Sequence, residues 1–173
     1  MSEFEERWAQ VLVEAEQRAR GHGRSDVAEY LQLRAANDAV RAAGIQWLDA
    51  LFQWLADEAT RAGRQVTIER KDAHQFSMDA ATMVGTLLTL RRGVRALMIE
   101  AGWPRAPQHG IVHGGGLASA HIKHFGQRGA GEELLLAQTK NSAPQWFILH
   151  ETGDRTLFTE AHAYQHIAQF LES

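Results

Sequence analysis

The stretch that decides the fold is residues 83–101, MVGTLLTLRRGVRALMIEA. Two apolar runs, 83–91 and 94–101, flank Arg92-Gly93, and a glycine-containing two-residue connection suits a tight hairpin with positive φ. The second run is apolar on both faces apart from Arg95 and Glu100, the pattern of a central strand covered at least partly on both sides. This hairpin makes the rest of the chain beyond it legible as sheet.

Before the hairpin, Val66 and Ile68 alternate with Thr67 and Glu69 at strand period, while 73–79 reads as irregular or as a short strand. After it comes 102–116, GWPRAPQHGIVHGGG, which has neither helical nor strand periodicity. Strand-like runs 117–125 and 133–139 follow, joined by GQRGAG at 126–131, and then 145–151 after Asn141-Ser142-Ala143-Pro144. Short connections imply antiparallel neighbours. Thr159 can cap a last helix, 160–171, expected to bury Tyr164, Ile167, Ala168 and Leu171.

The first third is helical. Ser2 with Glu5 is a capping-box pattern, and Phe4, Trp8, Val11, Leu12, Ala15 and Ala19 recur at helical spacing up to Gly21. Ser25 and Asp26 can cap a second helix bearing a stripe of small residues, and Gly44 marks either a kink or a break in it. From Ile45 to Ala62 the apolar face, which includes Trp47, Leu48, Leu51, Phe52, Trp54 and Leu55, is far wider than the ~100° of a one-sided helix. It predicts two partners, the sheet and either another helix or a second subunit. The expected fold is α+β in one domain: N-terminal helices (1–63), then a five- or six-stranded mainly antiparallel sheet with a C-terminal helix (64–173).

Composition bounds the function. The chain has 173 residues, 45% of them hydrophobic and 23% charged, enough for one well-buried core. A net charge of −3 supplies no field for phosphate backbones, and the arginines between Arg61 and Arg95 lack the aromatic interleaving of a base-stacking surface, so nucleic acid is disfavoured as a partner. Cysteine is absent, which removes thiolate chemistry and sulfur-ligated metal. The acidic MSEFEERW start and the lack of a ~18-residue apolar run point to a cytoplasmic protein with no membrane partner.

The candidate site residues lie on or beside the 102–116 loop: Glu100, Trp103, Arg105, His109, His113, Gly114 and Gly115. Trp103 can wall a ligand, Arg105 can clamp an anion, and the glycines allow close backbone approach. The competing reading is structural, with Trp103-Pro104 capping the sheet and Glu100 paired with Arg95 or Arg105. His109, His113, His121 and His124 form the densest histidine cluster, but on a strand His121 and His124 point to opposite faces, and no metal or other cofactor is implied. His162 and His166 are four apart on the last helix but are expected on its solvated side. Glu58, within the apolar stripe, is most simply paired with Arg61 or Arg64.

His113-Gly114-Gly115-Gly116 resembles the HGGG strip of some lipases and esterases, whose backbone N–H groups form part of an oxyanion hole. The nucleophile-elbow G-x-S-x-G is missing, so serine hydrolysis is set aside. The expectation is a non-catalytic, homo-oligomeric domain that binds a small anionic ligand or a protein partner through 102–116 and the adjacent sheet. The alternative is a small hydrolase or isomerase, with or without an assisting metal, using Glu100, His109 or His113 in acid-base roles.

Overall fold

The computed structural model describes residues 2–127 and 131–172. It contains α1 (Glu3–Gly21), α2 (Ser25–Arg61), β1 (Thr67–Met78), β2 (Ala81–Arg92), β3 (Arg95–Trp103), a 3-10 turn (Pro107–His109), β4 (Ala118–Phe125), β5 (Glu132–Ala137), β6 (Gln145–Leu149), β7 (Arg155–Leu157) and α3 (Glu160–Leu171). The chain forms two compact units, one up to Ala43 and one from Gly44. No helix of the described residues is long and apolar enough to cross a membrane.

In the first unit the Ser2 hydroxyl accepts from the Glu5 backbone N–H and caps α1. Trp8 Nε1 donates to Asp38 Oδ2 at 2.6 Å, and the Arg34 guanidinium lies over the Trp8 ring. Of the stripe expected on α1, Leu12 is buried and Val11 is half exposed.

The second unit is a meander of seven strands in the order β1-β2-β3-β4-β5-β6-β7, each antiparallel to the next. The count is seven, not the five or six expected. The additional strand is β7, and β1 was obscured for a separate reason. β1 is one twelve-residue strand whose register shifts between Lys71 and His74, where Ala73 takes φ 52°, so the bulge broke the alternation. β7 has only three residues, all exposed, and carries no apolar pattern. The β2–β3 hairpin turns on Gly93-Val94, one residue later than expected. Gly93 has φ 61° and Arg92 pairs with Arg95, the glycine-first arrangement of a II′ turn. The 126–131 connection includes residues 128–130, which lie outside the described residues.

One sheet face, carrying Thr86, Leu88, Leu90, Ile99, Ile122, Leu134 and Leu136, is covered by helices. Buried Leu48, Phe52 and Leu55 of α2 and Ile167 and Phe170 of α3 complete this core. The buried Asp49 carboxylate accepts from Arg70 Nε at 3.2 Å and from Thr86 Oγ1 at 3.3 Å, fixing α2 to β1 and β2. Burial pushes the Asp49 carboxyl above its ordinary range against the pull of Arg70. Glu58 is exposed and paired with Arg61, as its place near the helix end suggests.

Gly44 neither breaks α2 nor ends it. A Cβ at Gly44 would lie 2.7 Å from Leu136 Cδ2, and its carbonyl accepts from Trp146 Nε1 at 2.9 Å. At this glycine helix and sheet approach too closely for a side chain. Gly44→Val should therefore lower stability by about 1–3 kcal/mol through overpacking. Urea unfolding checks this, and a midpoint equal to wild type would show that the contact has room.

Candidate functional site

Among the described residues of the unit from Gly44 onward, α2 and α3 pack on the first sheet face and leave the opposite face to the loops. Part of it is closed by the connection after β3, which begins two residues later than the sequence suggests because Gly102 and Trp103 still pair with β2. Val112 inserts into a second apolar cluster with Phe76, Met78, Ala81, Met83, Leu135 and Ala137. Ile111, its neighbour, is 82% exposed, so one residue alone pins the middle of the loop. Gly114 and Gly115 adopt φ 84° and 77°, which L side chains avoid. Gly116 lies so close to β5 that a Cβ there would meet the Leu136 carbonyl oxygen at 2.5 Å. The three glycines thus serve backbone turning and close approach.

This face places the candidate residues in two groups. Trp103 and Arg105 are buried, with the guanidinium 3.4 Å from the indole centroid and Arg105 Nη2 donating to Val84 O at 3.0 Å. His109 Nδ1 accepts from the Arg105 backbone N–H at 3.4 Å across the 3-10 turn. These three stabilise the start of the loop; the anion clamp expected of Arg105 is turned inward. Glu100 is held by His74 Nε2 at 2.9 Å and Lys123 Nζ at 2.8 Å, rather than by Arg95 or Arg105. Burial alone would raise its carboxyl, but Lys123 and His74 outweigh that and hold it below the ordinary range.

The second group surrounds a cleft of about 860 Å³ lined by His113, Gly114, His121, Glu133, His150 and Arg155 among others. His113 Nδ1–H lies 2.9 Å from Asp79 Oδ2 and 2.8 Å from Glu133 Oε1, so it ties the loop to the β1–β2 turn and to β5. Its hydrogen bond to Glu133 raises its pKa. Arg155 Nη2 donates to Gly114 O at 2.6 Å, and His150 Nε2 lies 2.8 Å from Thr156 Oγ1.

His121 is different. Glu100, His121 and Glu133 are cross-strand partners in register on β3, β4 and β5, so the imidazole lies in a row between two carboxylates. It is half-buried, and among the described residues its ring makes no hydrogen bond. Burial lowers its pKa, with Lys123 adding to the effect and Glu100 and Glu133 opposing it.

His124, three residues on, points to the helix-covered face, as strand alternation requires. There His166 Nε2–H donates to Glu132 Oε1 at 2.8 Å, which leaves His166 Nδ1 to accept from His124 Nε2–H at 2.9 Å. His166 is 4% exposed. The expected solvated position for His166 is therefore corrected: α3 buries Ala163, His166, Ile167 and Phe170, while Tyr164 is 64% exposed. His162 instead accepts from the Thr159 N–H at 3.1 Å, in the place a capping-box glutamate usually fills. Glu132, Glu133, His150 and Arg155 were not singled out in the sequence. The clue to them was a charged pair opening β5 and the polar turn HETGDR at 150–155.

Among the described residues, no three His, Asp or Glu side chains gather as a metal ion would need. No protein family, curated protein or solved structure matches the chain. The chemistry of the cleft has to come from its own geometry. Its titratable groups are mostly tied to one another, whereas the His121 ring makes no hydrogen bond among the described residues.

The raised His113 pKa makes its tether strongest below the ordinary histidine value of 6.5 and weaker as pH rises through the raised value. Hydrogen exchange of residues 104–117 should accelerate over that rise, and His113→Ala should remove the step. On the other face burial, reinforced by His166, drops the His124 pKa to about 4. The neutral form is the one the fold holds, so its contribution is complete above pH 6.5 and is lost as pH falls toward about 4. The unfolding midpoint should decline over that window, and His124→Gln, which keeps an N–H donor, should flatten the decline.

Proposed function

We propose that the chain is a non-catalytic, self-associating binding domain whose β4–β7 cleft takes a small ligand bearing an anionic group, or a protein partner presenting one. The observation that carries this reading is His121, half-buried in the cleft, flanked in register by Glu100 and Glu133, and without a hydrogen bond to its ring among the described residues. A half-buried imidazole with no hydrogen bond in the fold keeps its ring nitrogens for water or a ligand. Arg155, on the same cleft, supplies the charge for an anion, since one of its N–H groups is used by Gly114 O and others remain to donate. Arg155 thus takes the part first expected of Arg105, while His113, Gly114 and Gly115 shape the rim.

A second reading is acid-base catalysis by a small hydrolase or isomerase. The same imidazole favours it, because burial holds His121 neutral where a general base would need it. Glu100 and His109 lend it less support, because both side chains are occupied within the fold.

Carboxylate- and phosphate-bearing fragments, screened by ligand-observed NMR, should include binders whose affinity drops at least ~10-fold in the His121→Ala/Arg155→Ala variant. Equal binding to the variant, or no binder at all, would remove the cleft from this role. Turnover of a bound fragment that disappears with His121→Ala would move the reading to catalysis.

A further inference from the structure

Every residue that α2 leaves exposed between Gln32 and Trp54 is uncharged, and the charged residues of that span, Arg34, Asp38, Arg41 and Asp49, are buried or half-buried. Exposed helix surface normally carries charge. Here Leu33, Val40, Trp47 and Trp54 recur every seven residues, exposed by 62%, 36%, 44% and 53%. Ala36, Ala43 and Ala50, also exposed, lie three residues after the first three of them. That is the a/d spacing of a helix-pairing seam. The strip runs for about 33 Å at 1.5 Å per residue. With a width of roughly one helix it offers several hundred Å² of largely apolar surface, the size at which exposed patches mark association sites. Within the first unit, α1 engages α2 through Arg34 and Asp38, away from the seam.

We propose that this seam is where two copies of the chain associate, with their α2 helices antiparallel. It names the surface for the self-association proposed above and rests on that reading. The occupant and its direction follow from volume and charge. When residues whose numbers sum to 90 face each other, Trp54 lies opposite Ala36 of the second copy, Trp47 opposite Ala43 and Val40 opposite Ala50, so each large side chain meets a small one. The same layering sets exposed Arg61 opposite Glu29 at the end of the seam, where Arg61 pairs with Glu58 of its own helix. Leu33 meets Asp57, the one layer without complementarity, one turn inside that end. A parallel pair would stack Trp on Trp and set Arg61, Asp57 and Glu29 each against its own like charge. Antiparallel helices also align their dipoles favourably.

Light scattering of the full chain should give twice the 19.3 kDa chain mass. Trp47→Glu/Trp54→Glu should return it to the monomer mass with the circular dichroism spectrum unchanged, since both rings are exposed. Arg61→Glu should weaken the dimer about tenfold and Glu29→Arg in the same chain should restore it. Because the chain has no cysteine, Ala36→Cys and Trp54→Cys chains mixed and oxidised should cross-link to each other and not to themselves. A monomer at every concentration overturns both self-association and the seam. A dimer that survives the tryptophan substitutions overturns the seam alone, and self-cross-linking of the Trp54→Cys chain overturns the antiparallel order.

Discussion

A single sheet has two faces, and in the unit from Gly44 onward the helices cover only one of them. That constraint shapes the rest. The face against α2 and α3 can be uniformly apolar because Leu48, Phe52, Ile167 and Phe170 bury it. The other face needs either polar residues or a lid, and the chain uses both. Toward one end Val112 closes a small cluster over Phe76, Met83 and Leu135. Elsewhere His74, Glu100, Lys123, His121 and Glu133 form a polar row across four strands, satisfied largely by mutual pairing. The cleft lies where the lid and the polar row meet, so the loop and the site are two results of one shortage of helical cover.

How much of this was legible in the sequence depends on whether the informative residues were neighbours in the chain. The β2–β3 hairpin, the last helix with its Thr159 cap, and the opposed directions of His121 and His124 all follow from local period and turn chemistry. The buried face of α3 did not. His166 looks solvated in isolation, and only Glu132 and His124, brought in from two strands, make its burial affordable by satisfying both ring nitrogens. The same holds for the cleft, where His113, His121, Glu133, His150 and Arg155 come from the loop, three strands and the turn after β6. Helical or strand period cannot report such a convergence. In β1 the failure was different: one residue, Ala73 at positive φ, shifts the alternation so that a continuous strand reads as two fragments.

Arg105 shows why residue type alone does not fix what a side chain faces. An arginine beside a tryptophan in a glycine- and proline-rich loop has the composition of an anion pocket. Yet its flat guanidinium is weakly hydrated, so it can lie against the Trp103 ring and send an N–H to a strand carbonyl without losing all its partners. The pair then anchors the loop where it leaves β3, and His109 closes the turn behind it. Buried as it is, the Arg105 guanidinium faces the fold, whereas Arg155, exposed on the cleft, gives one N–H to the loop and keeps others at the surface.

The helix α2 carries the complementary lesson. Its apolar residues were too widely spread for one neighbour, and the excess was visible in the sequence as tryptophans at 47 and 54 beside Leu48, Leu51 and Leu55. The fold resolves the ambiguity by turning the leucines toward the sheet and leaving the tryptophans out. Sheet packing therefore accounts for the leucines but not for the tryptophans, nor for the lack of exposed charge between Gln32 and Trp54. A solvated helix face has no physical reason to avoid lysine and glutamate over six turns, since charge there costs nothing and favours solubility. Under the proposed seam both features have one cause, because the alternation of tryptophan with alanine at heptad spacing is the relief that a second copy of the same helix, running the other way, would fit.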